Sequence, residues 1–145
     1  AAMSGPCAVN AREWAFIVVT DREKLAQMAE ANGRVARMLN QAAAAILVCG
    51  DLDRAFPPAP DFWVIDAAIA AQNMTLAAND LGIGSVWLGT WPDEKRVKRQ
   101  AAIFQLPETI VPHSILALGY PAEDIDMRAV RPSRYEENRV HVNQW

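Results

Sequence analysis

The chain has 145 residues, of which 52% are hydrophobic and 21% charged, and its formal net charge is −3. This length fits one domain with a sizeable core, and the composition argues against disorder. The basic residues form no dense block, so nucleic acid is not expected as a partner. No apolar run reaches the length of a membrane span. Two cysteines without zinc spacing and no secretory leader predict a reducing, cytoplasmic location.

Four buried strands alternate with helices along the sequence. In chain order these are a strand over residues 14–20, a helix over 22–32, a short helix over 35–40, a strand over 42–49, a long helix over the first two-thirds of residues 61–90, a strand over 85–89, a helix over 93–101 and a strand over 113–118. The first strand is aromatic and β-branched on both faces, which indicates burial on both. Such alternation belongs to an α/β or α+β fold, and the pattern alone favours a doubly wound parallel sheet.

Residues 61–90 organise the rest of the chain. Their helix is apolar nearly all round, which indicates a buried helix, and its many alanines let other backbones approach closely. Asp66 and Asn73 lie in narrow polar strips and are expected to be hydrogen-bonded structural groups. The strand that follows ends at Gly89-Thr90, where a backbone could meet a ligand.

Reactive side chains are scarce in this sequence. The only histidines are His113, which opens a strand, and His141, in the C-terminal tail. No cluster has metal-ligand spacing, so neither a catalytic side chain nor a metal site is assigned. Gly82 and Gly84 follow a helix and lack a third glycine, unlike a dinucleotide-binding fingerprint. If the chain is an enzyme, a bound cofactor would therefore carry the reaction.

Three stretches together resemble the nitroreductase family of small FMN-dependent oxidoreductases. Residues 2–14 are similar to a Pro-Ser-x-x-Asn-x-Gln-Pro-Trp loop that leads into a Phe-Ile-Val-Val strand. Residues 66–89 resemble the family's dimer-interface helix, its Gly-x-Gly turn and its Trp-Ile-Gly strand. Gly119-Tyr120-Pro121 and the tail closing on Trp145 resemble its C-terminal arm. The likeness covers the chain in order, so residues 1–145 are interpreted as a single domain with an extended arm over 122–145.

The resemblance implies an α+β fold with a mixed sheet surrounded by helices, a long buried central helix, and an obligate homodimer that holds two FMN molecules at its interface. The cofactor-binding residues that it implies are Pro6, Cys7, Ala8 and Asn10 in the first loop, Trp87, Leu88, Gly89 and Thr90 at the strand end, and Arg131 and Arg134 in the arm. The backbone N–H groups of Gly89 and Thr90 would face the ring, where fixed dipoles stabilise developing charge. An arginine fork would meet the phosphate.

The implied function is transfer of hydride from NADH or NADPH, by way of FMN, to a small-molecule acceptor such as a nitroaromatic, a quinone or an enone. Three departures keep an alternative open. Cys7 stands where the family has serine, Arg12-Glu13 replace its Gln-Pro, and its basic Arg-Arg-Ser-x-Arg segment is not present, so we expect residues upstream of Ala1. The alternative is a non-catalytic flavin-binding or dimeric interaction protein that retains the fold. A relative that reductively removes a substituent or fragments a flavin is a third reading.

Overall fold

A four-stranded sheet with helices on both faces forms the body of the protein. The computed structural model describes residues 1–123, 125–127, 129 and 132–145. The strands are β1 (Trp14–Val19), β2 (Ala44–Asp51), β3 (Gly84–Gly89) and β4 (Ile110–Gly119), in the spatial order β1-β2-β4-β3. The α-helices are α1 (Arg22–Asn32), α2 (Phe62–Asp80) and α3 (Glu94–Phe104), and short 3-10 helices span Ala2–Ser4, Ala8–Asn10, Arg34–Asn40, Leu52–Arg54 and Glu137–Arg139. The α+β class is therefore confirmed.

All strand pairings among the described residues are antiparallel. The parallel doubly wound sheet predicted from the alternation of elements is wrong. The mixed sheet that the resemblance implies is not observed in these four strands either. The connection from β1 to β2 explains the direction. It contains α1 and then the 3-10 helix Arg34–Asn40, which pack against each other. Helices of 11 and 7 residues are about 16 and 14 Å long, so the pair returns the chain to the end of the sheet that it left.

The sheet separates two apolar layers. On one face, α1, the 3-10 helix Arg34–Asn40 and α3 cover a core that contains Leu47, Leu88 and Ile115. On the other face, α2 packs Trp63 and its alanines on β2 and β4. Because β2 and β3 run in the same direction on either side of β4, α2 is the crossover that carries the chain between them.

Helix ends are set by local capping. The Asp21 side chain accepts a hydrogen bond from the Lys24 N–H at 2.8 Å and begins α1. Gly33, with φ of 81°, ends that helix, as predicted. Asp93 caps α3 by accepting from two backbone N–H groups at 3.0 and 3.2 Å. These contacts lie within a few residues of each helix end, which is why the bounds of α1 agree with the sequence.

One face of α2 is exposed in the single chain. Phe62, Ile65 and Leu76 are 41%, 51% and 60% exposed, and Ile69 between them is half-buried. The burial on all sides that was predicted for this helix is therefore not observed within one chain. These four residues, spaced for one side of a helix, form what we call the α2 stripe.

In the chain beyond β4, most of the described residues are exposed. Its only helix among the described residues is the 3-10 turn Glu137–Arg139. Tyr135, Val142 and Trp145 are 70%, 74% and 100% exposed. In the ranges described above, no helix combines the length and the apolar character needed to cross a membrane.

Candidate functional site

The first loop, residues 6–10, is fastened to α2 by a buried carboxylate. The Ala8 N–H donates to both Asp66 oxygens, at 3.3 and 3.0 Å, and Asp66 is only 2% exposed. Burial raises the pKa of Asp66, and the bond from Ala8 opposes that rise. The expectation that Asp66 is a hydrogen-bonded structural group is confirmed, and the loop that it holds is the predicted one.

The first loop and the residues just after it contain backbone conformations that are rare outside glycine. Val9, Asn10 and Arg12 have φ angles of 43°, 59° and 57°. Asparagine tolerates the left-handed region, but a β-branched valine there is an outlier. The Arg12 Nε donates to Asn10 Oδ1 at 3.3 Å and braces the turn. Strained segments that the surrounding structure holds in place occur preferentially at functional sites.

An open cavity of about 330 Å³ lies between the first loop and the α2 stripe. Its lining is almost wholly apolar and consists of Pro6, Cys7, Ala8, Val9, Phe56, Phe62, Ile65, Asp66 and Ile69. Three of the four residues predicted in this loop therefore share one cavity. Asn10 is exposed beside it and is not part of the lining. Cys7 is a free, half-buried thiol.

A second buried carboxylate supports the opposite wall of this cavity. Glu13 is fully buried, and its Oε1 accepts the Phe56 N–H at 2.7 Å. Its Oε2 is buried without a hydrogen-bond partner among the described residues. Burial raises the pKa of Glu13, and the nearby charge of Asp66 adds to that rise, while the Phe56 bond opposes it. Two acids thus hold the two loops that face each other across the cavity.

The last residue of β3 presents a main-chain donor to the outside. The Thr90 N–H donates to the His113 carbonyl at 3.1 Å, so this amide, one of the two predicted to face a ring, is already used. Antiparallel ladders alternate, and β3 is an edge strand, so the Gly89 N–H and carbonyl both point away from β4. On that edge the Gly89 carbonyl accepts from Asn32 Nδ2 and from Arg96 Nη1, each at 3.1 Å.

Aromatic rings surround this strand end. Trp87 and Trp91 are 38% and 40% exposed. The distance between ring centroids is 5.1 Å for Trp63 and Trp91, 5.9 Å for Trp63 and His113, and 6.2 Å for Trp87 and His113. Burial lowers the pKa of His113 to about 4, so its imidazole is neutral at pH 7. The Leu88 side chain is buried in the core on the opposite face of the sheet. Of the two residues predicted to line a slot for a flat ring, only Trp87 therefore has an exposed side chain.

The remaining predicted residues lie in the arm. Arg134 is exposed, and Arg131 lies outside the described residues. Within one chain the first loop and the end of β3 contact different neighbours, and the cavity over the loop is not lined by β3. Where the structure describes the chain, no group of three or more His, Cys, Asp or Glu side chains could hold a metal ion.

Sequence reasoning missed two residues that organise the site. The sequence predicts Asn32 only as the last residue of a helix, and nothing local indicates that its amide is buried. Glu13 is singled out from the sequence only as part of the Arg12-Glu13 departure from the family motif, not as a buried support. The signal for Asn32 is the glycine stop after it, which places its side chain at the helix end, but its partner Gly89 is 57 residues away.

Comparison with known proteins identifies the family. Residues 36–120 match the sequence model of the Nitroreductase family. A protein of Methanothermobacter thermautotrophicus that carries the provisional name NADH dehydrogenase/NAD(P)H nitroreductase is 43% identical over 145 residues, which cover 100% of this chain and 72% of that protein.

Solved structures agree with this assignment. A Bacteroides thetaiotaomicron protein with the same provisional name has a TM-score of 0.88 and 41% identity, over 100% of this chain and 80% of that one. An FMN-dependent nitroreductase from Clostridium difficile has a TM-score of 0.85 and 28% identity, over 99% and 83%. The chain belongs to the nitroreductase family.

Proposed function

We propose that this protein is an NAD(P)H-dependent flavin oxidoreductase that uses FMN. The observation that carries the proposal is the Gly89 N–H, a main-chain donor on the open edge of β3 beside the exposed ring of Trp87. FMN, when bound, supplies the two-electron carrier between a nicotinamide donor and an acceptor. Ser114 Oγ lies 3.1 Å from His113 Nδ1, but both side chains are buried, so the pair offers no accessible nucleophile and a bound cofactor would carry the reaction.

The residues present fit such a group. A flat ring needs an apolar surface and a few fixed polar contacts. Trp87 supplies the surface, the Gly89 N–H supplies a fixed donor, and the apolar cavity against the first loop supplies a second wall. Arg134 is the described arm residue that would meet the phosphate. The protein's part is to bind and orient the ring and to exclude water from it.

The site is completed by a second copy of the chain. The α2 stripe exposes Phe62, Ile65 and Leu76, and the arm exposes Tyr135, Val142 and Trp145. Exposed apolar patches of this kind mark interaction surfaces. Pairing two α2 stripes would bury both and bring the first loop of one copy towards the end of β3 of the other. We therefore place the flavin between two subunits of a homodimer.

The acceptor is a small, flat molecule that enters the same opening. The walls that it would meet are apolar, with Phe56, Phe62 and Ile65 among them. Nitroaromatics and quinones satisfy this description, because they combine a flat apolar ring with groups that take up electrons. The cavity lacks a charged group other than the buried Asp66, which would disfavour strongly charged acceptors.

Titration of the apoprotein with FMN tests the proposal. Wild-type protein should bind FMN with micromolar or tighter affinity, and the visible absorbance of the complex should bleach with NADH or NADPH without oxygen. Gly89→Pro removes the outward N–H, which an edge strand tolerates, and should weaken binding at least tenfold, or about 1.4 kcal/mol. Ser85→Pro is the matched control, because its N–H faces the same edge at the far end of β3, and it should change affinity by less than threefold.

Two results would overturn the proposal. A colourless protein that takes up no added FMN would end it, as would equal binding by the two proline variants once circular dichroism has shown both to be folded. FMN binding without bleaching by either nucleotide would favour the non-catalytic flavin-binding reading instead. Sedimentation velocity of the wild-type protein tests the dimer separately.

A further inference from the structure

We infer that Asn32 and Thr90 form a clamp that fixes the Gly89 main chain in the orientation needed to meet the flavin. Both are positioning residues, since neither is proposed to touch the cofactor. This inference rests on the proposed function, because it gives the clamp a task only if Gly89 faces a bound ring. The contacts are hydrogen bonds within the protein, from Asn32 to the Gly89 carbonyl and from Thr90 to Asn32.

The clamp is a pair of hydrogen bonds that join one side-chain amide to two consecutive residues. Asn32 Nδ2 donates to the Gly89 carbonyl at 3.1 Å, and Thr90 Oγ1 donates to Asn32 Oδ1 at 3.0 Å. Both side chains are 1% exposed. The Asn32 amide is buried, and its nitrogen and oxygen are both bonded to consecutive residues. The backbone of those residues has little freedom, because breaking either bond would leave a buried polar group without a partner.

Thr90 is held from the opposite side as well. Its N–H donates to the His113 carbonyl at 3.1 Å, and the Trp91 N–H donates to the same oxygen at 2.9 Å. The peptide between Gly89 and Thr90 is therefore fixed between α1 and β4. Without these contacts a glycine at the end of an edge strand would be mobile, since it has no side chain to pack and no strand on its outer side.

The contacts also decide which polar atom remains for a ligand. The Gly89 carbonyl accepts from Asn32 and, at 3.1 Å, from Arg96 Nη1, which fills both of its lone pairs. Of the Gly89 main chain, the outward N–H is the polar group left for a ligand. A donor held in place in advance stabilises charge without reorganising when the charge develops, so the rigidity of this segment bears directly on its use.

Three variants separate positioning from simple stability. Thr90→Val keeps the shape and removes the hydroxyl, Asn32→Ala removes the amide, and Thr90→Ser restores the hydroxyl. Gln100→Ala is the matched control. It removes another fully buried amide, whose Nε2 donates to the Met28 carbonyl at 2.9 Å and not to the end of β3.

The first measurement needs no cofactor. With [15N]glycine, the apoprotein gives signals from only seven glycines, and that of Gly89 is assigned by its loss in Gly89→Pro. We expect its backbone order parameter to be about 0.85 in the wild type and below about 0.6 in Thr90→Val and Asn32→Ala. Thr90→Ser and Gln100→Ala should retain the wild-type value.

The second measurement is the dissociation constant for FMN. It should rise at least fivefold in Thr90→Val and Asn32→Ala and less than twofold in Thr90→Ser and Gln100→Ala. Unchanged order parameters and affinities in the first two variants would overturn the inference while leaving the proposed function standing. An equal effect of Gln100→Ala would overturn it too, by showing a general loss of stability. A wild-type protein that binds no FMN would end both proposals together.

Discussion

His113 should make the protein lose stability in mild acid. Burial lowers the pKa of its imidazole from 6.5 to about 4, and the ring is 7% exposed among Trp63, Trp87 and Ser114. The unfolded chain therefore takes up this proton at a higher pH than the folded chain does. The contribution of His113 to stability is complete above pH 6.5 and is lost as the pH drops to 4. The loss is about 3 kcal/mol, because each pH unit between the two pKa values costs about 1.4 kcal/mol.

His113→Asn isolates this effect, because asparagine keeps a polar group next to Ser114 and does not titrate. Free energies of unfolding would be measured with urea and tryptophan fluorescence at pH 7, 5.5 and 4. The wild type should lose about 3 kcal/mol more than the variant between pH 7 and 4. Glu13 and Asp66, whose pKa values are raised, act in the opposite direction but equally in both proteins. Parallel pH profiles would refute the assignment of a buried, neutral imidazole.

Three further predictions concern the cavity wall, the core and the dimer. Glu13→Gln should gain stability relative to the wild type as pH rises from 4.5 to 7, because ionisation of the buried acid, whose pKa is raised, destabilises only the wild type; a flat difference across pH-dependent urea melts would contradict this. Gly50→Ala should lower the free energy of unfolding by about 1–3 kcal/mol, since its Cβ would lie 2.2 Å from the Trp63 ring, whereas Gly119→Ala, with nothing nearer than 4.0 Å, should not. Ile65→Asp should shift the sedimentation coefficient from dimer to monomer, and an unchanged dimer would exclude the α2 stripe as the interface.

The existence of the secondary-structure elements could be predicted because their signals are local. The bounds of α1 agree to the residue, since Asp21 and Gly33 cap it from within its own sequence. Every predicted strand is present, and β4 is longer than its six predicted residues because its first part pairs with the end of β2. Pairing partners extend a strand beyond what its own pattern indicates.

Strand direction could not be predicted from the same signals. A single helix between two strands is typical of parallel crossovers, but the segment Arg34–Asn40 reverses the path after α1. Its length, rather than its hydrophobic pattern, makes β2 antiparallel to β1. The exposure of the α2 stripe was equally hidden, because an apolar position on a helix looks the same whether it faces a sheet or a second subunit.

The candidate site was predicted in outline and missed in its supports. The loop of Pro6, Cys7 and Ala8 and the strand end at Gly89 lie where a ligand could reach them. The Thr90 amide was predicted to be available, but its bond to His113 depends on the register of β3 and β4. Register is a property of the sheet, and no spacing within the sequence fixes it.

The buried polar residues around the site share one physical arrangement. Asp66 holds the Ala8 amide, Glu13 holds the Phe56 amide, and Asn32 holds the Gly89 carbonyl. Each partner is main chain in a loop or at a strand end, and each lies more than 40 residues away in sequence.

Burying these groups opposes folding, because a desolvated carboxylate or amide gains back only about 1–3 kcal/mol from its hydrogen bonds. An apolar side chain would stabilise each position more, yet it would leave the loop unfixed. Their contribution is therefore geometric: they fix three main-chain segments around the opening. It follows that replacing them should weaken ligand binding, and that Glu13→Gln, which keeps the acceptor for Phe56 and removes only the charge, should leave binding intact.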